Sequence, residues 1–179
     1  MDKKWQIKEQ PTSEVVESIR SALSVSETTA ILLAQRGIID FDKAKSFFNP
    51  SLEDLHNPFL MKDMDVAVSR IKWAIDNEEN ILIFGDYDVD GTTAVTLVYE
   101  FLSSIYSNVT YYIPDRNNEG YGISYQSIEH AAANNISLVI ALDCGIKAHD
   151  QIEYANTKNI DYIICDHHLP DKSIPNAYA

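Results

Sequence analysis

The sequence predicts an α/β fold in which a parallel sheet carries helices on both faces and a small helical segment precedes the sheet. Three observations carry this prediction. From Asn80 onward, short strand-like runs alternate with helical stretches. These runs are continuously apolar, as at residues 81–84, which is typical of parallel strands buried on both faces. Apart from an irregular stretch over residues 51–65, residues 1–78 show helical spacing, so we predict a helical segment over residues 1–78, packed on an α/β lobe over residues 79–179.

Four helices are predicted before the sheet from the spacing of apolar residues, over residues 12–24, 26–33, 42–48 and 64–77. Thr12 or Ser13 can cap the first helix, and Ser26 can cap the second. Gly37 follows the second helix as a typical helix terminator. This part of the chain therefore reads as a compact helical prelude to the sheet.

Four strands and three further helices alternate in the rest of the chain. The strands are predicted at residues 80–85, 109–113, 137–142 and 161–165, and the helices at 92–105, 124–134 and 147–158. Thr92 and Thr93 are the predicted caps of the first of these helices, and Ser124 of the second. Right-handed crossovers between parallel strands bring all four carboxyl ends to one edge of the sheet. That edge collects the unusual residues.

Three aspartates follow the first strand at alternate positions, Asp86, Asp88 and Asp90, and Gly91 then allows a tight turn. Unpaired carboxylates that leave water cost several kcal/mol, so they must meet a cation. A solvated acidic turn is one alternative. A calcium loop of the helix–loop–helix type is another, but its twelfth position requires Glu, whereas counting from Asp86 gives Leu97. A hard divalent metal is the favoured interpretation.

The loop after the second strand, PDRNNEGYGIS, offers groups that bind phosphate. Arg116 presents a bidentate fork, and Gly120 and Gly122, which flank Tyr121, let backbone amides approach an anion closely. The alternative is a polar loop with glycines at its turns, because a lone G-x-G is weak on its own. Its position after a strand favours substrate binding.

The third and fourth strands also end in candidate ligands. Asp143 follows the third strand; one carboxylate there can simply cap a turn, but its place near the DYDVDG run favours a shared metal. The fourth strand ends in Asp166, His167 and His168. Adjacent histidines point to different sides, so one can bind metal while the other faces substrate, and Asp166 can orient a ring. His149 lies in a helix without a motif partner and is read as structural or exposed.

Composition narrows the class of function. The formal net charge of −13 argues against a simple basic nucleic-acid-binding module, although a bound metal would invert the local sign. Cys144 and Cys165 lack metal-type spacing, and we predict buried free thiols in a reducing cytosol. The N-terminus has no apolar export segment, and no run approaches the roughly 18 apolar residues of a membrane span. We therefore expect a cytoplasmic protein with no membrane partner.

Four strand-end motifs, GDYDVDG, PDRNNEGYG, LDCGI and CDHH, occur in this order, and together they resemble those of the DHH phosphoesterase superfamily. They are most similar to its RecJ-like branch, the single-stranded-DNA-specific exonucleases. The resemblance extends through LLAQRGIIDFDKAKSFFNP and so covers essentially the whole chain. Family members continue beyond the DHH motif with the rest of the catalytic lobe, a second lobe and a nucleic-acid-binding barrel. The resemblance therefore implies that this chain is an N-terminal fragment.

The resemblance implies metal-dependent hydrolysis of phosphodiester bonds in single-stranded DNA, with 5′ to 3′ polarity, in DNA repair and recombination. It implies two ions, Mn²⁺ or Mg²⁺, of which Mn²⁺ is favoured. Two ions about 3.5–4 Å apart can lower the pKa of a bridging water and stabilise the leaving oxygen. The implied partners are single-stranded DNA and repair proteins such as a single-strand-binding protein or a helicase.

The resemblance also implies individual roles at the matching positions. It assigns metal binding to Asp88, Asp90, Asp143 and His167, with Asp143 bridging two ions, and places Asp86 beside them and His168 at the scissile phosphate. With the residue-based reasoning above, the predicted catalytic residues are Asp86, Asp166 and His168, and the predicted substrate-binding residues are Arg116, Gly120, Tyr121, Gly122 and His168. Many superfamily members have a histidine four residues before the first ligand aspartate, where this chain has Phe84.

Two other functions stay open at this point. A DHH phosphodiesterase that acts on short oligonucleotides or cyclic dinucleotides would suit the acidic charge, because a path for DNA needs cations that replace backbone counterions. A noncatalytic scaffold would keep the fold and bind a partner. The long helical prelude and the DYDVDG and EGYG motifs favour the exonuclease, and the full set of acidic positions with both histidines disfavours the scaffold.

Overall fold

The structure is a computed structural model that describes residues 4–179. Its contacts divide the chain into two compact units, with the boundary between Asn57 and Pro58. The sequence-based boundary lies at residues 78/79 instead. The difference arises because α4 (Met64–Asp76) belongs to the second unit, where its Ala74 is fully buried in a core cluster with β-sheet residues. Within residues 4–179, no helix is both long enough and apolar enough to cross a membrane.

The first unit consists of three α-helices and a short 3-10 turn. Their bounds are α1 (Ser13–Leu23), α2 (Glu27–Ala34), α3 (Phe41–Phe48) and the 3-10 turn Leu52–Asp54. The hydroxyls of Thr12 and Ser26 cap α1 and α2 as predicted, and Asp40 caps α3. Gly37, with φ of +77°, follows α2 in the left-handed region that favours glycine. The helices share a small apolar core that includes the fully buried Ala30.

The second unit is built around a four-stranded parallel sheet, which confirms the predicted fold class. The strands are β1 (Asn80–Gly85), β2 (Val109–Tyr112), β3 (Ile136–Leu142) and β4 (Asp161–Cys165), in the order β2-β1-β3-β4. Besides α4, the helices are α5 (Val89–Ile105), α6 (Tyr125–Ala133) and α7 (His149–Thr157), and a 3-10 turn (Pro58–Leu60) precedes α4.

Alternate strand residues face opposite sides of this sheet and explain why both faces carry helices. Ile81 and Ile83 pack in one core cluster with residues of α4 and α5. Leu82 and Phe84 pack in the other, with residues of α6 and α7. All four are fully or almost fully buried, and each buried side chain of this size contributes roughly 1.5–3 kcal/mol. The continuously apolar run is thus required by burial on both faces.

The strand order places the carboxyl ends of β1 and β3 side by side. From β1 the chain moves outward to β2 and then crosses back to β3 on the other side of β1. Gly85 and Leu142, the last residues of these strands, are register partners. Reversal of the strand order opens a crevice at the carboxyl ends, where open α/β sheets bind ligands. The residues that follow β1 and β3 are Asp86 and Asp143.

Three local predictions were wrong. Helix α5 begins at Val89, three residues earlier than predicted, because the carboxylate of Asp88 accepts the amide of Gly91 and caps the helix. Thr92 and Thr93 lie inside α5 and donate to main-chain carbonyls of the preceding turn. This helix also excludes the calcium loop, since most of its twelve positions would be helical. Cys144 is buried as predicted, but Cys165, at the end of β4, is exposed.

Candidate metal centre at the strand ends

Asp143, His167 and His168 form the centre of the strand-end site. One potential ligand atom from each lies within 4.8 Å of the others. The carboxylate Oδ1 of Asp143 is 3.0 Å from Nε2 of His167. The amide of Asp143 donates to the carbonyl of Cys165 at 2.8 Å, which ties the end of β3 to the end of β4. The two strand ends thereby bring together three of the residues that the sequence analysis had expected at this edge of the sheet.

Asp166 holds His168 in place. Its Oδ1 accepts from the amide of His168 at 3.0 Å and lies 2.7 Å from Nδ1 of the same ring, while its Oδ2 accepts from the amide of Ile146 at 3.0 Å. Burial acts to raise the pKa of Asp166, but these hydrogen bonds outweigh it and lower the pKa. The hydrogen bond that His168 makes to the carboxylate of Asp166 raises the pKa of His168. An imidazole so held favours the protonated form, which can donate to an anion.

Asp86 is fully buried at the end of β1. Its Oδ1 accepts from the amide of Gly122 at 3.2 Å, but its buried Oδ2 has no hydrogen-bond partner among the described residues. Burial raises the pKa of Asp86, and the charges of Asp88 and Asp143 add to the effect. A buried carboxylate oxygen without a partner is costly, and a bound cation or water would satisfy it.

Asp88 and Asp90 lie at the start of α5 and are both exposed. Asp88 accepts the amide of Gly91 at 2.9 Å, and its charge contributes to raising the pKa of His168, so it lies near the centre. Within residues 4–179, neither carboxylate joins the three-residue cluster of Asp143, His167 and His168. The N-cap bond explains the orientation of Asp88. The predicted role of both residues as metal ligands stays a prediction.

The loop between β2 and α6 is folded around Glu119. Its carboxylate accepts from the hydroxyl of Tyr112 at 2.9 Å, the amide of Asp115 at 2.9 Å and the hydroxyl of Ser124 at 2.6 Å. Ser124 caps α6, as predicted, in a reciprocal capping box. The sequence analysis did not assign Glu119 a role, although its place three residues after Arg116 in a polar loop was a usable signal.

This anchored loop presents Tyr121 and Gly122 to the centre. The hydroxyl of Tyr121 donates to the carbonyl of Asp143 at 3.3 Å, and its ring meets that of His168 edge-on at 6.2 Å. Burial, together with the charge of Asp86 and neighbouring carboxylates, raises the pKa of Tyr121 to about 12, so the hydroxyl stays a donor. Gly120 has a φ of +82° and supplies a turn in the loop.

Arg116 lies farther out and is exposed. Its guanidinium stands 5.3 Å from the centre of the Tyr87 ring, and Tyr87 meets Tyr121 edge-on at 6.4 Å. A row of side chains thus leads from Arg116 through both tyrosines to His168. The sequence analysis missed Tyr87, although its position between two site aspartates was a signal.

The donor set fits a hard divalent cation. The cluster offers a carboxylate oxygen of Asp143 and the imidazoles of His167 and His168, of which His168 is already bonded to Asp166. The unpartnered oxygen of Asp86, at the end of the neighbouring strand β1, is a further candidate ligand. Oxygen ligands with a single imidazole suit Mn²⁺ or Mg²⁺ better than thiolate-selecting metals. Cys144 is buried next to Asp143, and burial raises the pKa of its thiol.

The part of the chain that contains the strand-end site matches a known protein family. A family model described as the DHH family, N-terminal domain, matches residues 80–179. The chain is 36% identical over 176 residues to the single-stranded-DNA-specific exonuclease RecJ of Bacillus subtilis, and the aligned region covers 98% of this chain and 22% of that protein. It is 28% identical over 173 residues to the RecJ of Thermus thermophilus, covering 96% of this chain and 24% of that protein. The chain therefore spans about a fifth to a quarter of the length of these relatives.

Two solved structures share the fold. An exonuclease RecJ bound to manganese aligns with a TM-score of 0.61 at 28% identity, covering 66% of this chain and 30% of that one. The RecJ of Thermus thermophilus in complex with Mn²⁺ aligns with a TM-score of 0.70 at 23% identity, over 94% of this chain and 23% of that one. The second likeness, at its lower identity, is one of fold alone.

Proposed function

This chain belongs to the DHH family, and from that premise and the geometry of the strand-end site we propose that it takes part in metal-dependent hydrolysis of phosphodiester bonds in single-stranded DNA. One observation carries the proposal: ligand atoms of Asp143, His167 and His168 converge within 4.8 Å at the strand ends. The buried Oδ2 of Asp86, which follows the neighbouring strand, has no hydrogen-bond partner among residues 4–179. The names of the relatives support single-stranded DNA as substrate, and two of their solved structures contain manganese.

The proposed cofactor is Mn²⁺ or Mg²⁺, with two ions in the complete protein, held by Asp88, Asp90, Asp143 and His167. Such ions, when bound, supply an activated water and neutralise charge on the leaving oxygen. Asp143 and His167 already share a contact, whereas Asp88 and Asp90 stand exposed at the start of α5. Asp86 adds negative charge from inside the protein, at the point where its unpartnered oxygen lies.

The other site residues act on the substrate. His168, whose pKa is raised by its hydrogen bond to Asp166, offers a hydrogen bond to an oxygen of the scissile phosphate. Tyr121 and the amide of Gly122 border the same space, and Arg116 offers its fork to a further phosphate of the strand. Gly120 gives the loop the turn that carries these groups. We propose that residues 79–179 carry this machinery.

We extend the proposal to the cellular role that the resemblance implies: 5′ to 3′ exonuclease action in DNA repair and recombination, in the cytoplasm. A single-strand-binding protein and a helicase are the proposed protein partners. Two free cysteines, Cys144 and Cys165, are compatible with a reducing compartment.

Metal binding gives the first test. Calorimetric titration with Mn²⁺ should show at least a tenfold weaker affinity for Asp143→Ala, because the variant loses the one carboxylate of the three-residue cluster. His149→Ala is the matched control: His149 begins α7 and lies outside the cluster. Equal loss of affinity in both variants would contradict the assignment of the centre.

Hydrolysis gives the second test. In the complete natural reading frame that contains this chain, Mn²⁺-dependent degradation of end-labelled single-stranded DNA should be lost in Asp143→Ala and His168→Ala. We expect this chain alone to be a weak or inactive nuclease, because two-metal hydrolysis needs every ligand held in fixed geometry. Dinucleotides and cyclic dinucleotides serve as competing substrates. If these small substrates are hydrolysed with a higher kcat/KM than a long strand, the alternative of a small-substrate phosphodiesterase replaces the exonuclease.

A further inference from the structure

A cavity of about 290 Å³ opens beside the candidate metal centre on its α7 side. Asp166 and His168 line it, so the cavity and the centre share His168. The rest of the lining comes from Tyr121 to Ile123, from residues 145–148 and from the first turn of α7. The hydrolysis proposed above gives residues 145–151 no role. The cavity nevertheless continues the site directly from His168.

The apolar part of this lining suits a flat or ring-shaped group. Ile123 is buried, Ile146 also lines the cavity, and the ring of Tyr121 borders both the cavity and His168. Gly145 keeps the space open: its φ is +109°, and a Cβ at this position would stand 2.9 Å from Cδ1 of Ile123. Ligand sites combine such apolar walls with a few placed polar groups.

The polar part of the lining suits a phosphate. Lys147 lines the cavity, and its ion pair with Asp171, at 4.0 Å between two half-exposed side chains, is of the kind that contributes little and exchanges readily. The N-cap residue of α7 is Ala148, whose side chain cannot accept a hydrogen bond from the first-turn amides. These amides lie at the positive end of the helix dipole, which favours an anion. Gln151 adds an amide that can donate and accept. Asp150, the acidic residue of that turn, is not among the lining residues.

We propose that this cavity, which we call the α7 subsite, holds the nucleotide next to the scissile phosphate. Its base or sugar would lie against Tyr121 and Ile123, and its further phosphate would lie at Lys147 and the start of α7. The inference rests on the proposed function, because it takes the scissile phosphate to lie at His168. It adds the recognition of a whole neighbouring nucleotide, in a place where an otherwise acidic chain offers a cation and helix amides.

Binding without metal tests the subsite by itself. Thymidine 5′-monophosphate, thymidine and inorganic phosphate are titrated separately into the 179-residue chain in the presence of EDTA, and amide NMR shifts are followed. We expect the nucleotide to bind more tightly than either part and to shift the amides of residues 145–151. Lys147→Ala should weaken nucleotide binding about tenfold, as expected for loss of a charge-assisted hydrogen bond. Lys147 is exposed, so the variant should fold.

Lys172→Ala is the matched control, because Lys172 is an exposed lysine of the neighbouring segment that does not line the cavity. Equal weakening by Lys147→Ala and Lys172→Ala would overturn the proposal, since it would reveal general attraction of anions. Phosphate binding as tight as nucleotide binding, or shifts that avoid residues 145–151, would overturn it too.

Steady-state hydrolysis of single-stranded DNA separates this inference from the proposed function. Lys147→Ala should raise KM several-fold with little change in kcat, whereas a drop in kcat at constant KM would contradict a binding role. If no form of the protein hydrolyses DNA but nucleotide binding still depends on Lys147, the proposed function fails and the α7 subsite stands. If Asp143→Ala abolishes hydrolysis while Lys147→Ala changes neither KM nor nucleotide binding, the proposed function stands and the α7 subsite is refuted.

Discussion

Replacing Gly91 with alanine should disturb both the stability of the second unit and its metal affinity. Gly91 lies in the first turn of α5, pressed against the end of β1. A Cβ at this position would meet three main-chain atoms of Asp86, its O at 2.4 Å, its N at 2.7 Å and its carbonyl carbon at 2.9 Å. All three belong to the backbone, so no rotamer change can relieve the contact.

The size of the effect follows from these distances. Ordinary contact requires about 1 Å more than the shortest of them, so α5 must move away from β1. Overpacking of this kind costs about 1–3 kcal/mol, and contact with backbone places it near 3 kcal/mol. Alanine regains about 1 kcal/mol of helix propensity. We therefore expect a net loss of about 2 kcal/mol in the unfolding free energy of the second unit.

Amide hydrogen exchange in β1 and β3 measures this quantity for the second unit alone. A loss of about 2 kcal/mol should speed exchange through global opening about 30-fold. Mn²⁺ affinity should fall at least tenfold, because the shift moves Asp86 and the amide of Gly91 that holds Asp88. Ser103→Ala, on the exposed side of the same helix, is the matched control and should leave both unchanged. If Gly91→Ala exchanged no faster than Ser103→Ala, the close approach of α5 to β1 would not be a constraint on the site.

Further predictions concern the parts of the second unit that support the site. Arg70→Ala should lower the unfolding free energy measured in urea by about 3 kcal/mol, because Arg70 is 6% exposed and forms an ion pair with Glu79. This value is at the low end for a broken buried ion pair, since the second partner, Asp161, is 38% exposed. A loss below about 1 kcal/mol would contradict this. Burial acts to raise the pKa of Glu79, yet hydrogen bonds from a serine hydroxyl and Arg70 hold that pKa below its ordinary value. The difference in unfolding free energy between the unsubstituted chain and Arg70→Ala should therefore be full at neutral pH and shrink as the pH falls through the pKa of Glu79. Ser124→Ala should lower the unfolding free energy by about 1 kcal/mol, because α6 loses its N-cap. The variant also releases Glu119, so KM for single-stranded DNA should rise while kcat changes little. An unchanged KM would show that this cap does not support substrate binding by the loop.

The sequence predicted the sheet well because burial on both faces leaves a plain signal. The bounds of β1 and β4 agree with the prediction to the residue, since each is a short apolar run that ends at a glycine or an acidic residue. The convergence of Asp143 with His167 and His168 followed from the rule that parallel strands share one carboxyl edge. These features depend on local pattern and chain direction alone.

The rest depended on contacts that no local pattern contains. Strand order, and hence the adjacency of β1 and β3, follows from how the crossovers pack. Gly91 was read as a turn glycine, but its role is to allow close approach to the backbone of Asp86. The sequence analysis missed the early start of α5 because it assigned Asp88 only a metal-binding role, although aspartate is also a strong N-cap. The link from Arg116 to Tyr87 joins two different strand ends.

The proposed metal binding by Asp88 is compatible with its observed N-cap bond, and the two together would explain how the site can favour a cation beside a helix N-terminus. A carboxylate has about four lone-pair positions, so Oδ1 can accept the amide of Gly91 while Oδ2 stays free for a metal. The positive end of the α5 dipole disfavours a cation, but three carboxylates, those of Asp86, Asp88 and Asp143, offset it. In the metal-free chain these groups repel one another, and burial together with this repulsion raises the pKa of Asp86. A divalent ion would relieve that repulsion and release any proton held there, so metal binding should become tighter as the pH rises. The close packing of β1 and α5 that Gly91 permits therefore crowds the carboxylates and, for the same reason, makes the site receptive to a cation.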